Sequence, residues 1–370
     1  MDEELSNAEF QAFERKLKDM GLQGQWMADG LLESARGGPK PAGVPYIWHG
    51  AEYRAILQEC CEVMASSFTA RRAIVKPNPA FERMASTHTL AYSVQYVRPG
   101  EVAWAHRHTI SALRFVIDGA DKAYSVVNGE PLYMETNDLV LTPNWSWHDH
   151  HNDSEKDVMW LDVLDMGIAL ALNQTFYDTI GEASQPLYQD PGQYMAARTG
   201  IVRPAWEVPT TQAYPMRYAW KDVEPQLKRM AGLQGSPYDG IVLEYVNPMT
   251  GGPAFPTMGC WVQMLRPGEE TKTHRHTSSS VFYVIRGQGT TVVGDEEFDW
   301  AEGDILVVPN WIDHRHINRS RENEAILFSV NDIPVLETLG YYRETPENSL
   351  HATPPAPIPG DVYRAQTGQH

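Results

Sequence analysis

Two stretches of this chain, 168 residues apart, are written in nearly the same letters. Val94-Gln95-Tyr96-Val97-Arg98-Pro99-Gly100-Glu101 returns as Val262-Gln263-Met264-Leu265-Arg266-Pro267-Gly268-Glu269. Asn137-Asp138-Leu139-Val140-Leu141-Thr142-Pro143 returns 166 residues later as Gly303-Asp304-Ile305-Leu306-Val307-Val308-Pro309. A period near 167 is several times longer than the unit of any solenoid. It marks the duplication of a whole domain, so the chain is limited to two copies of one fold. With 370 residues and 42% hydrophobic side chains it can fill two cores.

Within each copy, short β-branched and aromatic runs alternate with turn residues. Arg114-Phe115-Val116-Ile117 precedes Asp118-Gly119, and Val281-Phe282-Tyr283-Val284-Ile285 precedes Arg286-Gly287. This predicts antiparallel strands and hairpins, hence an all-β barrel or jelly roll. His106 and His108 stand at i and i+2, on one face of a strand. His148 follows 40 residues later. A lone His-x-His is ordinary on an edge strand. Here His274, His276 and His314 repeat the set, and His150 and His316 also match, so eight of 13 histidines fall at equivalent places. Three neutral imidazoles suit Fe, Zn, Cu or Ni. The main metal site is expected at His106, His108 and His148, and a possible second one at His274, His276 and His314.

Pro-Gly-x5-His-x-His followed by Pro-x4-His-x3-Asn resembles the two histidine motifs of cupins, and the doubled pattern resembles a bicupin: two jelly-roll β-barrels with flanking short helices. Arg107, Arg114-Phe115 and the run from Leu141 through Trp145 and His148 to His150 resemble the gentisate 1,2-dioxygenase family, which includes salicylate and 1-hydroxy-2-naphthoate dioxygenases. The resemblance covers residues 40–345. It implies an Fe(II) enzyme that uses O2 to open a small aromatic hydroxy acid between its carboxyl- and hydroxyl-bearing carbons, gentisate to maleylpyruvate first among the choices. It also implies a homo-oligomer, a tetramer. Many cupins carry a Glu ligand three or four residues after His-x-His. Those places hold Ser111 and Ala112, and Ser279 and Ser280. None is a carboxylate, which disfavours decarboxylase, oxidase and sugar-isomerase bicupins.

The net charge of −18 argues against a nucleic-acid partner. It also gives no long-range attraction to an anionic substrate, so a carboxylate must be captured by local cations. Arg114, six residues after His108, shares the histidine face. Its fork suits a carboxylate. The equivalent residue of the second copy is Phe282. The resemblance also implies a carboxylate-binding role for Arg72, a contact between His150 and the substrate hydroxyl, and a pocket role for Gln95. Asp162 is read as orienting a histidine, or as structural. Ahead of Gln95 the family carries an aromatic, then Ala, then a small residue. Here the run is Ala91-Tyr92-Ser93, which opens space at Ala91 and places a hydroxyl at Ser93. A non-catalytic metal-binding bicupin is the reading from another class, but it has no use for guanidiniums beside three histidines.

Three cysteines, Cys60, Cys61 and Cys260, make no disulfide framework. No leader-like segment follows Met1 and no apolar run approaches spanning length, so a cytoplasmic protein without membrane contact is expected. Along the chain we expect a helical and strand arm over 1–86, with helices from Asn7 to Met20 and Ala51 to Met64 and a strand-like stretch from Ser67 to Val75. An N-terminal cupin over 87–180 is expected to end in a helical segment from Ile168 to Ile180. A linker and covering segment spans 181–254. A C-terminal cupin over 255–345 includes a helical segment from Pro334 to Tyr342, and an extended tail spans 346–370.

Overall fold

Strands Ala91–Val97, Ala112–Asp118, Leu139–Thr142 and Val158–Leu164 form the centre of a six-stranded antiparallel sheet in the N-terminal copy. Facing it is a five-stranded sheet carrying Val102–His108 and His148–Asn152. In this computed structural model, which describes residues 8–28, 34–64, 72–196, 199, 204–206 and 216–346, the C-terminal copy repeats the strand order in both sheets.

Alternation along Ala112–Asp118 explains how the copies join. Leu113, Phe115 and Ile117 enter a core shared with Val281, Tyr283, Ile285 and Phe328 of the other copy. Phe115 stacks on Phe328 at 4.1 Å between ring centroids and 15° between planes. The six-stranded sheets therefore pack back to back. Their opposite faces, with Arg114 and Val116 in one copy and Phe282 and Val284 in the other, turn toward the histidine-bearing sheets. Buried on both faces, these strands read as near-continuous apolar runs rather than clean alternation.

The N-terminal arm reaches the far copy. Tyr46–Trp48 pairs antiparallel with Ile305–Val307. The following helix, Gly50–Val63, turns Tyr53, Leu57 and Cys61 inward. Its first amide donates to Asp304 Oδ1 at 2.8 Å. A Cβ on Gly50 would lie 2.9 Å from the Gly303 carbonyl oxygen, so only glycine fits there.

The first expected helix is present as Ala8–Asp19, with none of its residues buried. Other expectations need revision. The segment Ile168–Ile180 is not one helix: Met166–Ala171 is helical, Asn173 takes φ 55°, and Tyr177–Thr179 pairs with His106–His108. The open edge of the histidine strand offered backbone partners that local helix propensity could not. Likewise the second helix is Ile333–Thr338, stopped at Gly340 (φ 72°), and Glu344–Pro346 pairs with His274–His276. Within 181–254 the entry strand Ile241–Glu244 joins the second six-stranded sheet. The same segment, expected only to be linker and cover, holds a helix, Trp220–Arg229, with Pro225 inside it. Of the Ser67–Val75 stretch, the described part begins at Arg72, and Ala73–Ile74 is strand there. Residues 65–71 and the tail from 347 lie outside the described residues.

Candidate metal centre

His106 and His148 face each other across paired strands, and His108 lies two residues further along the first. The ligand atoms of all three lie within 4.8 Å of one another. Each ring is oriented from behind. Nδ1 of His106 donates to the Trp104 carbonyl at 2.9 Å, that of His108 to Ile110 at 2.6 Å, and that of His148 to Ser146 at 2.9 Å. A carbonyl only accepts, so the proton sits on Nδ1 and the lone pair on Nε2, where a metal would be held. His148 Nε2 is buried without a hydrogen-bond partner among the described residues. A buried ring nitrogen left bare is costly, and an ion at the shared point resolves it. Burial, then His106 and Arg114, pushes His148 well below its ordinary pKa. The ring is therefore neutral and competent to bind metal.

The C-terminal triad has the same layout, its ligand atoms again within 4.8 Å. Nδ1 of His276 donates to Ser278 O at 2.9 Å and that of His314 to Ile312 O at 3.0 Å. His274 differs, since its Nδ1 meets Glu344 Oε1 at 2.9 Å. Burial lowers the pKa of His274, but the Glu344 and Asp239 carboxylates outweigh it and the pKa is raised. Both donor sets fit a divalent transition metal.

What surrounds the triads separates the copies. Arg114 is 4% exposed; its Nε lies 3.2 Å from Asp162 Oδ1 and its Nη1 donates to Thr142 Oγ1. Trp160 Nε1 donates to Asp162 Oδ2 at 3.0 Å, and the Trp160 ring lies 5.2 Å from that of His150. His150 is buried, with Nδ1 2.7 Å from Ser125 Oγ. Gln95 lies across the sheet from Trp160, and its Nε2 has no hydrogen-bond partner among the described residues. The equivalent wall of the C-terminal copy is Phe282, Val308 and Leu327, part of an apolar cluster, with Phe282 edge-on to His316 at 4.9 Å. Two buried polar residues remain on that side among the described residues: Gln263, whose Nε2 has no hydrogen-bond partner there, and Ser329, which stands opposite Phe282 as Asp162 stands opposite Arg114.

Arg72 is placed differently from the other expected residues. It is buried and paired with Glu101, at the turn that leads into the His106 strand. Thr142, Ser125, Trp160 and Glu344 were missed by sequence reasoning. Glu344 was within reach of it: it stands 167 residues after Tyr177, and both belong to strands that pair with the His-x-His strands. Thr142 stands inside the run from Leu141 to Trp145, but its role, like those of Ser125 and the Trp160 indole, emerges only from register.

Two segments, residues 93–164 and 261–331, match the cupin domain model. A solved salicylate 1,2-dioxygenase from Pseudoaminobacter salicylatoxidans, determined as an adduct with gentisate, superposes with a TM-score of 0.82 at 29% identity, covering 93% of this chain and 95% of that one. Fold and paired triads thus define a bicupin dioxygenase. A 1-hydroxy-2-naphthoate 1,2-dioxygenase from Nocardioides sp. (strain KP7) is 43% identical over 96% of this chain and 94% of its own length. A gentisate 1,2-dioxygenase from Aquipseudomonas alcaligenes is 33% identical over 90% and 95%. The chain belongs to the gentisate 1,2-dioxygenase family of ring-cleaving dioxygenases. Among the described residues no helix is long and apolar enough to cross a membrane.

Proposed function

We propose that the N-terminal copy binds Fe(II) through His106, His108 and His148 and cleaves a 2-hydroxyaryl carboxylate with O2. The observation that carries this is a buried guanidinium, Arg114, on the wall facing one triad and replaced by Phe282 at the other. The iron, when bound, supplies the redox chemistry by which O2 reacts with an electron-rich ring. The chain's residues do the rest. Arg114, tethered by Asp162 and Thr142, grips the substrate carboxylate. His150, anchored at Nδ1 by Ser125, takes the proton of the ring hydroxyl at Nε2. Gln95, whose Nε2 has no hydrogen-bond partner among the described residues, donates to an oxygen substituent of the substrate. Arg72, engaged by Glu101, is left a supporting part at the strand turn.

For the substrate we favour a bicyclic acid, 1-hydroxy-2-naphthoate, over gentisate and salicylate. Ala91 and Ser93, both small and buried, lie on the same strand face as Gln95, where a bulkier side chain would compete with a second ring. The 43%-identical relative carries that substrate in its name. The test is kcat/KM on the three acids with Fe(II)-loaded protein. We expect the naphthoate to lead, and Ala91→Trp to reverse the order. Gentisate leading by tenfold or more in the wild type would remove this choice and leave the family assignment standing.

The C-terminal triad, with an apolar wall, we assign to metal holding without turnover, its Glu344 contact tying down the last described strand. A cytoplasmic homotetramer is the assembly we propose. The exposed, adjoining Trp145 and Phe176, together with Leu172, offer an apolar surface for it, and the three cysteines are unpaired.

A further inference from the structure

One short helix follows the last core strand of each copy, and each begins at an aspartate: Asp165 before Met166–Ala171 and Asp332 before Ile333–Thr338. An aspartate at that position usually caps its own helix. Neither does. Asp165 instead accepts from the Ser111 amide at 2.8 Å through Oδ1, and from Thr257 Oγ1 at 2.7 Å through Oδ2. Asp332 does the same with the Ser279 amide at 2.8 Å and Thr89 Oγ1 at 2.6 Å, and has His88 Nε2 at 3.9 Å. Thr257 and Thr89 each belong to the opposite copy, so two clasps cross the interface in mirrored fashion.

The clasps end at the metal sites. Ser111 follows Ile110, whose carbonyl orients His108 at 2.6 Å. The Asp165 amide also donates back to the Ser111 carbonyl at 3.3 Å, so the turn is gripped on both sides. Asp165 is buried, and without the Thr257 hydroxyl its Oδ2 loses the partner that crosses from the other copy. We propose that Thr257 is a positioning residue for the N-terminal metal site: reaching across from the C-terminal copy, it holds Asp165, Asp165 holds the Ser111 turn, and that turn holds His108. The same logic makes Thr89 the positioning residue for His276. Each copy thus completes the support of the other's metal, which accounts for why the clasp aspartates give up their own helices. The inference rests on the reading of the triads as metal sites.

Cobalt(II) loaded into the whole protein and released to a chelator, followed by absorbance, tests it. The N-terminal phase is identified as the one lost in His148→Ala. Outer partners of metal ligands typically change affinity by about 10–100-fold. One bond further out, Thr257→Val should speed release from the N-terminal site by about three- to tenfold, with Thr257→Ser restoring it. Thr89→Val breaks an equivalent bond and should cost similar stability, yet leave the N-terminal phase alone and speed the C-terminal one. Should Thr257→Val fail to fold, Asp165→Asn carries the same expectation. Equal N-terminal release from wild type, Thr257→Val and Thr89→Val overturns the positioning role. Absence of an N-terminal phase in the wild type overturns the metal reading instead.

Discussion

Arg114 is where substrate recognition and barrel stability meet, and removing it alone confuses the two. Its guanidinium is paired with Asp162, and both are almost fully buried. Arg114→Met leaves the Asp162 carboxylate with Trp160 Nε1 alone of the two named contacts, and breaking one side of a buried pair costs about 3–5 kcal/mol. Removing both charges, as Arg114→Met/Asp162→Leu, should return stability to within about 1–2 kcal/mol of wild type, because a buried pair and a well-packed apolar pair are of similar worth. Catalysis should not return. A charge-assisted bond to the substrate carboxylate is worth about 1.5–3 kcal/mol, or roughly ten- to a hundredfold in kcat/KM. Urea denaturation and steady-state kinetics per bound metal, run on the single and double variants, separate these effects. Recovery of kcat/KM in the double variant along with stability would refute the substrate role and leave Arg114 a purely internal partner of Asp162.

Other expectations follow from the same geometry. His106→Ala should abolish turnover and its share of bound metal; full activity with retained metal contradicts the triad assignment. His314→Ala should lower metal content from two ions per chain to one while most turnover persists, and loss of turnover in a folded variant would show that the second copy is not secondary. The apoprotein should be acid-labile in a defined window. Burial, helped by neighbouring histidines, pushes His148 and His314 well below 6.5, His276 to about 4 and His316 to about 3. These rings stay neutral when folded but gain protons near 6.5 when unfolded, so stability is full above 6.5 and falls as pH drops toward 4. His274, whose pKa is raised, works the other way. An unchanged urea midpoint between pH 7.5 and 5 would contradict this.

The repeat made most of this legible. Its period implied two copies, its turns implied antiparallel strands, and its shared histidines named both triads. Arg114 against Phe282 distinguished the copies before any coordinates. What stayed hidden depends on register and on contacts between distant segments. Helix propensity over Ile168–Ile180 lost to the open edge beside His106–His108. The helix Trp220–Arg229, with Pro225 inside it, is held by burial of Trp220 and Leu227. The arm's docking on the opposite copy and the Thr257 clasp join residues far apart in sequence, and no local pattern encodes such pairings. The Arg72–Glu101 pair is another such contact: the resemblance names Arg72, and only the folded chain shows which carboxylate lies beside it.

The central claim is that the N-terminal triad and its polar wall open an aromatic ring with O2. The most direct test is a single turnover of anaerobically Fe(II)-loaded protein mixed with 1-hydroxy-2-naphthoate and doubly labelled O2, with the product read by mass spectrometry. The expected product is a ring-opened dicarboxylate carrying both labelled oxygens, formed by wild type and not by His148→Ala. A ring-intact product with one labelled oxygen, or equal product from His148→Ala, would contradict it.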